Sequence, residues 1–309
     1  KEVKDFFNTN KDDYSINNKK GGLYSHLTKG KKGFAYLEEL TETVYFMNKE
    51  NKLQKLFSQN NITNINLSAD SDFIVVDFLD ISGSVIKSKI RIYDINNKKW
   101  IKIPDTGIAK GTIVKTEEKT YLVCQHSLSQ NYKIRIYEVN PEQDAVEIKR
   151  EIPFEYNKVP SNFVDIGNGN FAYKLKSGLN ISLVVSDIEG NEKQIIKIKN
   201  EDIAEIRHLS SDLHLQKQKD SGKEATKLIF SCTKKGALPR LGIFDLEKNN
   251  LYVVNKDISG GIYYPSFGDS EKTIAYIGEF SEQNRILLLD LNNLELSESE
   301  LEISYVEDQ

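Results

Sequence analysis

The phrase IRIYDINNK at residues 90–98 decides the fold, because the chain returns to it five more times. In each copy an apolar, partly alternating run ends in an acidic or amide residue and opens into a turn rich in Asn, Gly and Lys. The residues that close the six runs are Asn48, Asp94, Glu138, Asp187, Asp245 and Asp290. Their spacings of 46, 44, 49, 58 and 45 residues indicate a repeat architecture.

Each repeat predicts up to four short strands, which we name a to d in chain order. They are rich in Val, Ile, Tyr and Phe, with turn residues every 8–12 positions, as in all-β proteins. Four antiparallel strands per unit of this length form one blade of a β-propeller, and stacking the blades in a closed ring buries their faces. We therefore expect an all-β, single six-bladed β-propeller of four-stranded antiparallel blades. A seven-bladed ring is the alternative, and it would need residues 1–20 and the C-terminal tail to build another blade.

The chain divides into two parts of different character. Residues 1–20 form a polar N-terminal arm or tether, and residues 21–309 form the propeller domain. The sixth repeat has the weakest outer strand, at residues 301–306. The apolar residues 3–7 of the arm offer another strand that would close the ring at the same place.

The composition and charge of the chain limit the kinds of partner that it can bind. The 309 residues carry a net charge of −4 with both signs interspersed, which argues against nucleic acid or an anionic membrane, since both require a basic face. No apolar run approaches the ~18 residues of a membrane-spanning helix. Cys124 and Cys232 fall in different repeats, and each is predicted to be a small buried core residue. Because the chain begins at Lys1, we expect an upstream segment to have been removed, either as a secretory or lipoprotein signal or by trimming before expression.

Residues 264–293, YPSFGDSEKTIAYIGEFSEQNRILLLDLNN, carry a family pattern. Residues 265–267 run from a proline to an aromatic, a polar turn occupies residues 269–272, and apolar strands occupy 274–276 and 286–291. This resembles the WD-like propeller repeat of TolB and of the propeller domains of prolyl-oligopeptidase-type enzymes, and the resemblance extends over nearly the whole chain. No turn retains the full Ser-Pro-Asp-Gly, and no Gly-x-Ser-x-Gly elbow of a hydrolase is present.

The resemblance implies a TolB-like role: a non-catalytic binding and scaffolding propeller that contacts a protein partner through one face. It further implies a monomeric bacterial envelope protein in the periplasm or at the cell surface, with a lipid anchor upstream of Lys1 if it is a lipoprotein. The alternative is a carbohydrate-active enzyme or a glycan-binding propeller that uses the mouth of the central channel. The sequence predicts no cofactor.

The recurring acidic residues at the ends of the c strands suggest metal binding or carboxylate catalysis at first sight. In a propeller they lie one per blade, too far apart to share an ion. An Asp or Asn at this position can accept hydrogen bonds from backbone N–H groups of the following turn. We therefore expect these residues to cap turns.

Four histidines, His26, His126, His208 and His214, were examined as ligands or catalytic groups. His26 and His208 fall on the innermost strands of the first and fifth repeats, two blades apart, and no spacing resembles a ligand pair. Strand alternation places Arg207 and His208 on opposite faces of their strand. The sequence therefore predicts neither a metal site nor a catalytic residue.

The remaining candidates form a binding surface of aromatic and polar residues on the innermost strands, where Tyr and Arg are favoured at contacts. These residues are Tyr24, His26, Phe163, Arg207, His208, Tyr263 and Tyr264. Packing between blades is the alternative role for the aromatic members. Residues 210–225, an insertion in the fifth repeat, are predicted to form a projecting polar loop between strands a and b.

Overall fold

The computed structural model describes residues 3–5, 23–50, 52–82, 85–128, 131–198, 203–216, 224–233, 237–254, 258, 260–279, 284–294, 296–299 and 301–305. The strands, numbered β1 to β26, form six antiparallel sheets. The six-bladed β-propeller is confirmed, and the seven-bladed alternative is wrong. Two single-turn 3-10 helices, Leu213–Leu215 and Leu291–Asn293, are the helical segments of the described chain, and neither is long enough to cross a membrane.

Each blade is built from one repeat, with strands a to d adjacent in order. Blade 1 contains β2 (Tyr24–Gly30), β3 (Gly33–Glu38), β4 (Thr43–Asn48) and β5 (Leu53–Ser58). Blade 2 contains β6 (Ile62–Leu67), β7 (Phe73–Asp80), β8 (Lys87–Asp94) and β9 (Lys99–Lys102). Blade 3 contains β10 (Ile108–Lys115), β11 (Thr120–Leu128), β12 (Asn131–Asn140) and β13 (Ala145–Pro153).

The second half of the ring continues the pattern. Blade 4 contains β14 (Lys158–Gly167), β15 (Asn170–Ser177), β16 (Asn180–Asp187) and β17 (Glu192–Ile198). Blade 5 contains β18 (Glu205–Ser211), β19 (Lys227–Thr233), β20 (Arg240–Asp245) and β21 (Asn250–Val254). Blade 6 contains β22 (Tyr263–Phe267), β23 (Thr273–Glu279) and β24 (Asn284–Asp290), and its fourth strand comes from the N-terminus.

The a strands surround the central axis. Strands β2, β6, β10, β14, β18 and β22 contact one another in a closed circuit from blade to blade. Because successive strands are antiparallel, the a–b and c–d turns lie at one end of the ring, which we name the a–b face. The b–c turns and the connections between blades lie at the other end, which we name the b–c face.

The two ends of the chain complete the outer edges of three blades. Strand β1 (Val3–Asp5) pairs antiparallel with β24 and takes the outer position of blade 6. Of the two segments that the sequence offered for this position, residues 3–7 of the arm supply the strand, with β1, and residues 301–306 do not. Strand β25 (Leu296–Ser299) instead pairs with β21 in blade 5, and β26 (Leu301–Tyr305) with β17 in blade 4. These additions cover sheet edges that would otherwise present unpaired backbone groups.

The core lies between neighbouring blades. The b and c strands are covered on both faces, so their apolar runs are nearly continuous: the first six residues of β7, FIVVDF, are all buried. Val44 of blade 1, for example, belongs to the same apolar cluster as Ile74 and Val76 of blade 2. Each such side chain, when fully buried, contributes about 1.5–3 kcal/mol. The stability of the ring is therefore distributed over its blade-to-blade contacts.

The turns that follow the c strands are capped as expected in five of six repeats. In these five, a backbone N–H of the turn donates to the closing side chain at 2.8–3.0 Å; the acceptors are Asn48, Asp94, Asp187, Asp245 and Asp290. Glu138 is the exception, because β12 continues past it to Asn140, whose side chain accepts from Glu142 N at 3.2 Å. The carboxylate of Glu138 pairs with Lys119 and Lys149 instead.

Candidate functional site

Five of the six innermost strands contain a bulge at an equivalent position. In each, strands a and b lose register for two residues, and the first of these residues has a positive φ between 48° and 55°. The five residues are His26, Lys110, Asn162, His208 and Tyr264. None is glycine, although an L-residue in this region carries about 1–3 kcal/mol of strain. Strained backbone of this kind clusters at functional sites, and bulges often re-aim a side chain beside one.

The bulges place all five of these side chains on the wall of a central cavity of about 580 Å³. Leu79 and Ser88, which flank the b–c turn of blade 2, also line it, as does Glu205 at the start of β18. The cavity therefore reaches the b–c face, and Ala69 in the a–b turn of blade 2 lines its other end. A smaller cavity of about 260 Å³ lies at the a–b face, lined by turn residues that include Ser68 and Asn168.

One consequence of the bulge corrects the prediction for Arg207 and His208. Regular alternation would send the two side chains to opposite faces of β18, but both line the cavity. The register shift after Arg207 and the φ of 55° at His208 interrupt the alternation at this point.

Three aromatic rings form one arc of the cavity wall, which we name the aromatic arc: His26, Tyr264 and His208. The centroids of the Tyr264 and His208 rings lie 3.8 Å apart, and those of Tyr264 and His26 lie 4.6 Å apart. The hydroxyl of Tyr264 is 3.3 Å from Nε2 of His26. Blade 6 lies between blades 5 and 1, which carry the two histidines, and its Tyr264 contacts both imidazole rings.

Both histidines of the aromatic arc are neutral at pH 7. Burial lowers the pKa of His26 to about 4 and that of His208 to about 3, the latter with help from the nearby charges of Arg207 and Lys174. Nδ1 of His208 accepts from the backbone N–H of Tyr264 at 3.3 Å, so its proton resides on Nε2. That Nε2–H group is a hydrogen-bond donor on the cavity wall, and it adds no charge.

Three cationic side chains from consecutive blades form the opposite side of the wall, which we name the basic arc: Lys110, Lys174 and Arg207. Arg207 pairs with Glu205 at 2.7 Å. The ammonium of Lys174 is buried and donates to the carbonyl of Ile206 at 3.0 Å. Burial and then repulsion from Lys110 lower the pKa of Lys174 to about 8. The charges of these two neighbouring blades therefore act on one another.

A belt of polar residues on the b strands supports the bulges from behind. Asp77, Gln125, Lys174 and Ser231 each bond to the backbone of the next blade's a strand or of the segment leading into it. Asp77, for instance, accepts from the N–H groups of Lys110 at 2.6 Å and Gly111 at 3.4 Å. Bulges release backbone groups from the ladder, and buried backbone groups require partners. The polar belt supplies some of them and connects the blades around the axis.

At the a–b end of the axis a buried carboxylate meets an ion pair. Asp165 accepts from the backbone N–H of Gly167 at 2.9 Å. Burial raises its pKa to about 7, and the charge of Asp70 adds to this effect. Asp70 is itself paired with Lys115. Asp165 lines both the central cavity and the smaller cavity at the a–b face, which Asp70 and Lys115 also line.

The predicted binding residues divide into two groups. His26, Arg207, His208 and Tyr264 line the cavity, and Phe163 reaches its wall although its ring is 2% exposed and packs against Phe171 and Tyr173. Tyr24 and Tyr263 are absent from the cavity lining described here and pack against the apolar cluster between blades 6 and 1.

Sequence reasoning missed Lys110, Asn162, Lys174 and Asp77 on the wall. One signal was available: a polar residue interrupts the apolar b strand at the same position in four repeats, as in FIVVDFL for Asp77 and FAYKL for Lys174. Lys110 and Asn162 carried no such signal, because a polar residue in a partly exposed strand is ordinary.

The insertion of the fifth repeat is packed in its first part, contrary to the projecting loop that was expected. Asp212 is fully buried and accepts from the backbone N–H groups of Thr226 at 2.8 Å and Lys227 at 3.0 Å. Leu213 and His214 are buried as well, and the imidazole of His214 bonds to the carbonyl of Gly268 at 3.1 Å. Residues 217–223 of the insertion lie outside the described residues.

The described residues bring together no group of three His, Cys, Asp or Glu side chains with metal-site geometry. Cys124 and Cys232 are buried and free, and burial raises the pKa of both thiols, to about 12 for Cys232. A thiol with a raised pKa is a poor nucleophile at pH 7. The chemistry that this wall offers is therefore hydrogen bonding and charge, from the neutral imidazoles of the aromatic arc, side-chain amides and cations.

Known proteins resemble this chain in fold. No protein-family model matches the chain. A curated relative, described as an uncharacterised protein of Treponema pallidum (strain Nichols), is 22% identical over 255 residues. The match covers 79% of this chain and 22% of the relative, so the chain spans a small part of that protein's length.

Solved structures with similar folds are more numerous. TolB from Acinetobacter baumannii matches with a TM-score of 0.54 and 11% identity over 89% of this chain and 65% of TolB. The β-propeller domain of the Trilobed protease from Pyrococcus furiosus matches with 0.51 and 12% over 90% of this chain and 98% of that domain. A prolyl endopeptidase matches with 0.54 and 10% over 93% and 49%. The chain thus has the propeller fold that TolB shares with the propeller domains of peptidases.

Proposed function

We propose that this protein is a non-catalytic binding propeller that docks a protein partner on its b–c face. The observation that carries the proposal is the coincidence of two features on that face. The strained inner bulges open a polar cavity there, and exposed apolar side chains surround its mouth.

The apolar rim is made of residues at b–c turns and at a connection between blades. Leu179 is 98% exposed at the tip of the b–c turn of blade 4, Ile86 is 65% exposed in blade 2, and Leu40 is 64% exposed in blade 1. Further exposed members are Ile81, Val85, Tyr156 and Leu238. Apolar side chains around a polar centre are typical of protein–protein contact sites rather than of a free surface.

The character of the cavity favours binding over catalysis. Among the residues that the structure describes, the histidines of the aromatic arc are engaged with neighbours and neutral, and both cysteines lie in the core. The strain of the bulges is maintained by the polar belt, which holds the wall in one arrangement, and preorganisation of this kind improves binding. The propeller likeness to TolB supports a scaffolding role, as the sequence resemblance implied.

We further propose that the protein acts in the bacterial envelope, in the periplasm or at the cell surface. The resemblance to TolB is the support for this location. Fractionation of source cells with antibody detection would test it, and recovery in the cytoplasmic fraction alone would refute the location without touching the binding role.

The binding role is tested by photo-crosslinking from single positions. A photoreactive phenylalanine analogue replaces Leu179 or Ile86 on the b–c face, and Glu247 on the c–d turn of blade 5 serves as the matched control on the a–b face. In source-cell extract we expect adducts of one discrete mass from the two b–c positions and none from Glu247. Changing Leu40 and Leu238 to Asp should reduce the yield of that adduct.

Equal, diffuse crosslinking from both faces would contradict the proposal. So would turnover of a substrate by the purified protein in panels of peptides and polysaccharides, which would establish the alternative of a carbohydrate-active or other enzyme.

A further inference from the structure

We propose that the basic arc at the cavity mouth binds carboxylate side chains of an acidic peptide segment, with Lys110 and Lys174 as the principal contacts. The inference rests on the proposed function, since it names the chemistry of the partner segment that enters the cavity. The proposal names the residues that contact the partner and the chemical class of the groups that they bind.

The ammonium groups of Lys110 and Lys174 form no ion pair with a carboxylate of the described residues. Lys29, in the same cavity, pairs with Asp269 at 2.8 Å, and Lys115 at the other end pairs with Asp70. Within the described ranges, neither Lys110 nor Lys174 pairs with a carboxylate, although Lys174 is 7% exposed. Glu205 attracts Lys174 and Asp77 attracts Lys110, but neither carboxylate forms an ion pair with them. A buried charge without a paired counterion is costly. An anionic ligand would offset that cost.

The acidic side chains near the two lysines form their hydrogen bonds and ion pairs with other groups. Glu205 is paired with Arg207 at 2.7 Å. Asp77 lines the cavity but is 2% exposed, and it accepts from backbone N–H groups at Lys110 and Gly111 and from the side chain of Asn64 at 3.2 Å. These carboxylates hold the scaffold in place and form no ion pair with the two lysines. Lys110 is exposed, whereas Lys174 is buried in the cavity wall, where its ammonium donates to the carbonyl of Ile206 at 3.0 Å.

The hydrogen-bond donors on this side of the cavity come from neighbouring blades. Lys110, Asn162 and His208 are bulge residues of three consecutive blades, so strained backbone holds their side chains on one side of the cavity. The Nε2–H group of His208 has no hydrogen-bond partner among the described residues. Neutral donors beside two ammonium groups suit a carboxylate, which accepts several hydrogen bonds at once.

The apolar surroundings of the cavity mouth favour a peptide as the source of the carboxylates. The mouth is surrounded by Leu179, Ile86 and the other apolar rim residues, which an acidic peptide with apolar neighbours would cover. The whole chain carries a net charge of −4, so a long polyanion would meet overall repulsion, whereas a short acidic segment can be attracted by the local basic arc. A short segment with a few carboxylates therefore matches both the charge and the apolar surroundings.

The test is an unbiased selection. A phage library of random heptapeptides is selected on the wild-type protein, on the Lys110→Gln and Lys174→Gln double variant, and on Lys248→Gln as the matched control from the a–b face. We expect Asp and Glu to be enriched in peptides selected by the wild type and by Lys248→Gln, and the enrichment to disappear with the double variant. Synthetic copies of selected peptides should bind the double variant at least about 10-fold more weakly, the effect of losing one charged hydrogen bond.

Several outcomes would overturn the inference. Selected peptides without acidic enrichment, or no selected peptides, would exclude carboxylate recognition. A uronic-acid oligosaccharide, inorganic phosphate or vesicles of anionic lipid that bind through Lys110 and Lys174 while acidic peptides do not would identify another anion as the ligand. The proposed function is judged separately, because crosslinking from Leu179 does not depend on carboxylates, and its failure together with that of the selection would refute both.

Discussion

The residues that set this propeller apart from a plain scaffold are the five inner-strand residues with positive φ. Each places a polar or aromatic side chain on the cavity wall at the expense of backbone strain. Glycine would adopt the same conformation without strain but would contribute no side chain. The strain at these positions is therefore expected to oppose stability and serve binding.

Replacing Lys110 with Gly tests this trade-off. We expect the free energy of unfolding to rise by about 0.5–1 kcal/mol, because the relief of strain exceeds the entropy cost of glycine in the unfolded chain. Urea denaturation measures the change. Lys110→Gln, which retains a Cβ, serves as control and should show no gain; a Gly variant less stable than the Gln variant would contradict the strain argument.

A second residue-scale prediction concerns Asp165 at the a–b end of the channel. Its pKa is raised to about 7, while the unfolded chain titrates near the ordinary value of 3.8. Between these values the folded protein holds a proton that the unfolded chain has released, so this group lowers stability as pH rises from about 4 to 7. Asp165→Asn should remove that dependence.

Relative to the wild type, the free energy of unfolding of Asp165→Asn should therefore increase by roughly 2–4 kcal/mol between pH 4 and pH 8. Urea unfolding at a series of pH values measures this difference. Asp77, whose pKa is raised to about 6, contributes a similar slope in both proteins and cancels in the comparison. A constant difference across the pH range would show that Asp165 titrates normally in the fold.

At the scale of single elements, the closing residue of each c strand shows how one local rule is reused. Asp94 accepts at 2.9 Å from both the backbone N–H and the side-chain amide of Asn97. Glu138 stands in the corresponding place but is longer, and Asn140 caps its turn instead. The pair makes a natural comparison within one molecule.

Asp94→Ala should lower the free energy of unfolding by about 1–2 kcal/mol, since a buried side chain that satisfies turn donors is lost. Glu138→Ala should cost less than about 1 kcal/mol, because it removes only surface ion pairs with Lys119 and Lys149. Thermal and urea unfolding compare the two. Equal losses would mean that the capping hydrogen bonds carry no special weight.

At the scale of the whole molecule, the ring is closed by a strand from the opposite end of the chain. Strand β1 joins blade 6 to the N-terminus, whereas β25 and β26 add strands to blades that already have four. The two ends therefore differ in their mechanical role. Loss of β1 leaves blade 6 with three strands, while loss of β26 leaves blade 4 complete.

Deletion of residues 1–22 should accordingly reduce the cooperativity of unfolding. We expect a broadened or two-step urea transition as blade 6 separates first, since two-state behaviour requires all blades to unfold together. Deletion of residues 301–309 is the control, and it should lower the midpoint while retaining a single transition. A sharp single transition in the N-terminal deletion would show that three strands suffice to close the ring.

Much of the architecture follows from the sequence because its signals are local. Alternating strands, turn residues and a repeat near 45 residues depend on contacts within a blade, so the blade number and most strand positions were predictable. The cap at Asp94 was predictable for the same reason. The sequence offered residues 3–7 for the outer edge of blade 6, but it did not predict the pairing of β25 with blade 5 or of β26 with blade 4. These strands pair with residues far away in the chain, and the preference among free sheet edges is set by geometry.

The candidate site was decided by the tertiary structure. Nothing local distinguishes Lys110 or Asn162 from other polar strand residues, and simple alternation misplaced Arg207 relative to His208. The bulges arise where six strands converge on an axis and where the neighbouring blade, through Asp77 or Lys174, can satisfy the released backbone groups. The sequence thus determined the blades and their number, and only ring closure decided which side chains meet at the channel mouth.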